Sequence, residues 1–61
     1  SDVCSSDLYN NLGALYDNKG DFSKAAGYFE AALTIFLKVL GPHHPETKKA
    51  QRNLAAAKSR S

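Results

Sequence analysis

Tryptophan and methionine are absent from the 61 residues, cysteine occurs once and proline twice. The lone thiol, Cys4, has no internal partner for a disulfide, and no Cys/His group has the spacing of a structural zinc site. The staples on which small domains commonly rely are therefore missing. No apolar run approaches the about 18–20 residues that cross a bilayer. The N-terminus lacks a basic region followed by an apolar stretch, so it does not read as a secretory signal. The expectation is a soluble, cytoplasmic chain forming one small domain, or part of a larger one, too short to bury a large core by itself.

The formal charge of +2 is unevenly spread. Up to Glu30 the acids (Asp2, Asp7, Asp17, Asp21, Glu30) outnumber the bases (Lys19, Lys24), whereas after Glu46 come Lys48, Lys49, Arg52, Lys58 and Arg60. A basic C-terminal segment suits an acidic partner, and also suits a plain solvated helix face. The opening SDVCSSDL shares no pattern with the rest of the chain, and it resembles the translation of a sequencing-library adaptor, TCAGACGTGTGCTCTTCCGATCT. Residues 1–8 are accordingly set aside as an artefact or disordered leader, and the remainder is expected to be a fragment of a longer reading frame.

What is present is helical periodicity. Phe22, Ala25, Ala26, Phe29, Ala32, Leu33, Phe36, Leu37 and Leu40 recur at steps of three and four, a continuous helical stripe. Asp21 is a good N-cap, Gly20 suits a left-handed end to a preceding helix, and Gly41-Pro42 closes this one. A second stripe, Tyr28, Ala31, Ile35 and Val39, makes the helix apolar over so much of its girth that it needs two neighbours. One precedes it: Tyr9, Leu12, Leu15 and Tyr16 predict an amphipathic helix ending near Lys19, with Gly13 facing Ala25 at a close crossing. The other lies C-terminal to it, with a thinner stripe of Thr47, Ala50, Leu54 and Ala57. Between them lies GPHHPET, in which Pro45 is set for a first helical turn and Glu46 favours the positive helix end. His43 and His44 read as loop residues without the further ligands a metal site requires.

The outer helices are alike. Asn11-Leu12-Gly13-Ala14 aligns with Asn53-Leu54-Ala55-Ala56 at an offset of 42, and self-similarity at such a period is the mark of a solenoid.

At these residues the chain resembles the tetratricopeptide repeat, in the long, roughly 42-residue variety found in kinesin light chains and many bacterial repeat proteins. The resemblance rests on Tyr9, Leu12-Gly13, Tyr16, the turn KGDF, Ala25, Phe29 and Ala32, and on the connector LGPHHPET. It implies an all-α fold, with a helical hairpin over residues 9–42 and, over 43–61, a connector and the first helix of a following or capping repeat. Departures are Gly27 inside the second helix, where it costs about 1 kcal/mol against alanine, and Gln51 and Lys58 where Tyr9 and Tyr16 stand one repeat earlier.

Such arrays bind proteins or extended peptides on the concave surface of their first helices. Carried over, this implies binding roles for Asn10, Asn11, Ala14, Asp17 and Asn18, and for Lys49, Arg52, Asn53 and Ala56. Asn11 and Asn53 fall where related arrays hold an asparagine against a peptide backbone. No enzyme is expected, because the histidines lack a partnered nucleophile or buried acid and no glycine-rich phosphate loop occurs. No cofactor, metal or small-molecule substrate is implied, and neighbouring repeats of the parent chain are expected partners. The alternative is a basic helix over residues 46–60 contacting nucleic acid or an anionic surface. For an interfacial helix it offers only Leu54 as a large apolar residue.

Overall fold

A computed structural model describes residues 2–60, with side chains from Ser5 onward. The described residues form three helices: α1 (Asp2–Lys19), α2 (Phe22–Val39) and α3 (Pro45–Arg60). The all-α expectation, a hairpin and then one further helix, is met.

The turns are dictated by their residues. Gly20 takes φ +89°, and the N–H groups of Gly20 and Asp21 donate to the carbonyls of Asp17 (3.1 Å) and Tyr16 (2.9 Å), satisfying two carbonyls at the end of α1. Asp21 then caps α2, its carboxylate accepting from the Lys24 amide at 3.4 Å. Gly41, at φ +87°, ends α2 and donates to the Phe36 carbonyl.

The core is α2 held between its neighbours. Ala25, Phe29, Ala32 and Phe36 are buried on it, and Thr47, Ala50, Leu54 and Ala57 are buried on α3, the stripe that the sequence predicts for each. Each buried phenylalanine contributes about 1.5–3 kcal/mol. On the α1 side Tyr28 lies between Tyr9 and Tyr16, with ring centroids 6.2 Å and 5.3 Å away and the Tyr16 ring almost parallel at 7°. Such pairs add about 0.5–1.5 kcal/mol beyond their area.

Three expectations change. The helix expected to open at Tyr9 begins at Asp2 and runs through the segment set aside as a leader, where Ser6 is fully buried. Extending a formed helix gains one hydrogen bond per residue fixed, and Ser6 falls on the face of Tyr9, Gly13 and Tyr16. The close crossing at Gly13 is made with the Phe29 ring rather than with Ala25: a Cβ on Gly13 would stand 2.7 Å from two ring carbons. Leu15, Leu37 and Val39, assigned to apolar stripes, are 48%, 40% and 44% exposed. They lie on outer flanks of α1 and α2 that no described helix covers.

Candidate protein-binding face

The nine positions singled out in the sequence fall on α1 and α3, and the structure shows how these two helices meet. Asn53 Nδ2 donates to Asn10 Oδ1 at 3.3 Å, with both residues half-buried. Two turns further along, Arg60 Nη1 donates to both carboxylate oxygens of Asp17, at 3.1 and 2.9 Å. Each pair joins residues 43 apart, so α1 and α3 run parallel, cross-linked twice at points about 10 Å apart along their axes.

The contact offset exceeds the repeat offset by one because facing side chains come from different sides of their helices. Asn53 is the counterpart of Asn11 in sequence but the bonded partner of Asn10 in space. Asn11, Ala14, Asn18, Lys49, Arg52 and Ala56 are exposed around these links. Asn10, Asp17 and Asn53 thus hold the face together, while the other six present it.

Sequence reasoning passed over two residues. Arg60, read in the sequence only as part of the basic C-terminal segment, closes the Asp17 pair and lies 5.8 Å from the Phe22 ring centroid. Its side chain is 55% exposed, so the pair contributes only about 0.2–1 kcal/mol. The spacing Asp17 to Arg60, one beyond the repeat, is the signal that could have found it. His44, assigned to the loop, caps α3: its Nδ1 accepts from the Glu46 amide at 3.1 Å, and its carbonyl accepts from Lys48 at 3.0 Å. The position just before Pro45 and two before Glu46 is an N-cap position, and there histidine stands in for the usual Ser, Thr, Asp or Asn.

A parallel pair of helices separated by one antiparallel helix, with matching motifs 42 residues apart, is the unit of a helical-repeat solenoid. A family profile described as tetratricopeptide repeat matches residues 4–61, and the chain belongs to that family. Its repeats generally mediate protein–protein interaction and are typically non-catalytic scaffolds. Comparison with curated proteins returned no match, and neither did comparison with solved structures. Among the described residues no helix is long and apolar enough to cross a membrane.

Proposed function

We propose that the chain is part of a repeat array that binds an extended peptide or partner protein on the face shared by α1 and α3, the concave side of the assembled solenoid. The 42-residue offset supports placing it in the long variety of the repeat. The observation that carries the reading is the double cross-link, Asn10 to Asn53 and Asp17 to Arg60, which holds two helices side by side with polar residues exposed along both. Asn11 offers an amide donor and acceptor together, matching a peptide group without regard to its side chain. Asn53 retains a second N–H for the same purpose. Lys49 and Arg52 favour an acidic residue or carboxylate alongside.

The basic-helix alternative has less support, since Ala50, Leu54 and Ala57 are buried against α2 and are not available to enter a membrane surface. The test is to titrate acidic and neutral hexapeptides into isotope-labelled chain while following the asparagine side-chain amides by NMR. Shifts should fall on Asn11, Asn18 and Asn53, and Asn11→Ala and Asn53→Ala should each weaken binding about two- to tenfold with helicity unchanged. If both variants bind as tightly as the original, while changes at Glu30 or Lys38 on α2 abolish binding, the reading fails. Binding to a DNA duplex with a steep salt dependence would favour the basic helix instead.

A further inference from the structure

Arg60 is tied to the α1/α3 face through one nitrogen only. Its Nη1 donates to both carboxylate oxygens of Asp17, at 3.1 and 2.9 Å, and its guanidinium carbon lies 5.8 Å from the centre of the Phe22 ring. Nη2 and Nε have no partner among the described residues. The side chain is 55% exposed against 23% for Asp17, so the cation reaches water while the carboxylate that holds it is mostly covered. Arginine presents its donors in a rigid planar fork, and the edge formed by Nε and Nη2 matches a second carboxylate bidentately. A guanidinium already fixed by Asp17 and Phe22 also loses less freedom when an anion arrives, which lowers the cost of binding.

Two further cations stand on the same helix. Lys49 and Arg52 are exposed, without an ion-pair partner among the described residues, eleven and eight residues before Arg60. On a helix that separation is about 12–17 Å along the axis. An extended peptide rises about 3.3 Å per residue, so it covers this distance in about four or five residues, and side chains four apart project from the same side. Asp7 and Glu46, the other acids of α1 and α3 with described side chains, stand in the first two turns of these helices. The end marked by Arg60 therefore has no unpaired carboxylate on either helix among the described residues. Resting on the peptide-binding role proposed for this face, we infer that Arg60, held in place by Asp17, recognises an acidic side chain of the peptide. The peptide that fits carries two acidic residues about four positions apart, one for Arg60 and one for Lys49 and Arg52.

The test titrates the full chain with end-capped octapeptides of alanine and serine carrying two glutamates four apart, two glutamates two apart, or two glutamines four apart, following the asparagine side-chain amides by NMR. The wider glutamate peptide should bind most tightly, by about tenfold over its glutamine counterpart, and Arg60→Gln should cut that preference about three- to tenfold. Asp17→Asn separates the mechanisms. Removing a negative charge should raise the preference if only net charge matters, whereas releasing Arg60 from its anchor should lower it about two- to threefold. A merely looser contact between α1 and α3 would weaken both peptides and leave their ratio unchanged. Should Asp17→Asn alter the circular dichroism spectrum, Arg60→Lys, which keeps the charge and loses the planar fork, should lower the same ratio. The inference is overturned if Asp17→Asn raises the preference or leaves it unchanged, if Arg60→Gln does not reduce it, or if the two glutamate spacings bind alike. In each case binding of the glutamine peptide that weakens in Asn11→Ala would leave the peptide-binding face standing, whereas no response of the amides to any peptide would remove both.

Discussion

Two glycines sit inside helices of this chain, and replacing each with alanine should move stability in opposite directions. At Gly27 a Cβ meets nothing within 4 Å, so Gly27→Ala retains only the gain in helix propensity, about 1 kcal/mol. At Gly13 the same gain is opposed by a Cβ placed 2.7 Å from Cδ1 and Cε1 of Phe29 and 3.1 Å from Cγ. Ordinary carbon contacts are about 3.5–4.0 Å, so the ring or the helix must move by roughly 1 Å. Phe29 is 4% exposed and backed by Ala25, Leu54 and Ala57, so the ring has no open side to turn into. Overpacking of this kind costs about 1–3 kcal/mol, leaving Gly13→Ala between neutral and about 2 kcal/mol destabilised. Propensity cancels in the difference between the variants, which isolates the crossing at about 1–3 kcal/mol. Thermal melts by circular dichroism should separate them by at least about 4 °C, given about 4–8 °C per kcal/mol in a domain of this size. Equal shifts in the same direction would refute the Gly13–Phe29 crossing.

His44→Ala should destabilise α3 by about 0.5–2 kcal/mol, while His44→Asn, which restores a capping side chain, and His43→Ala should leave the melt nearly unchanged. Equal melts for His44→Ala and His43→Ala would dismiss the cap. Thr47 is fully buried, and its hydroxyl has no hydrogen-bond partner among the described residues. Thr47→Val, which keeps the shape and removes the unmet group, should raise stability by about 1 kcal/mol in urea unfolding, and a loss would show that the hydroxyl is satisfied in solution. A double-mutant cycle on Asp17→Asn and Arg60→Gln should give a coupling of about 0.2–1 kcal/mol that shrinks with added salt; a larger, salt-independent value would contradict the exposed geometry. With outer flanks uncovered, the isolated chain should melt broadly, and a sharp transition above about 70 °C would be at odds with a module that needs neighbours.

The helix order, the turns and the buried stripes of α2 and α3 are legible in the sequence because each rests on local rules. Gly20 and Asp21 stop one helix and start the next by their own conformations, and Phe29 and Phe36 recur at the helical period whatever surrounds them. The start of α1 is not legible, because SDVCSSDL has no apolar stripe and its continuation depends on helix already formed downstream. Leu15, Leu37 and Val39 read as core because period reports which face is apolar and not whether a neighbour covers it. The candidate face is half legible. The offset of 42 selects the two helices, yet it pairs Asn11 with Asn53, whereas the contact joins Asn10 to Asn53 and leaves Asn11 exposed.

That displacement by one residue bears on how such a face can bind at all. Were the repeat-equivalent asparagines aimed at each other, each amide would give part of its bonding capacity to its counterpart and turn away from the exposed surface. Instead the residue before Asn11 supplies the cross-link, which leaves the equivalent position on α1 turned outward. The same shift places Asp17 against Arg60, so structural pairing and surface presentation come from adjacent positions along the helix. Adjacent residues on a helix lie about 100° apart, so one can bond sideways to the neighbouring helix while the next faces solvent. A single two-residue pattern, Asn10-Asn11, can thus fix the spacing of the helices and offer an amide to a partner without the two roles competing.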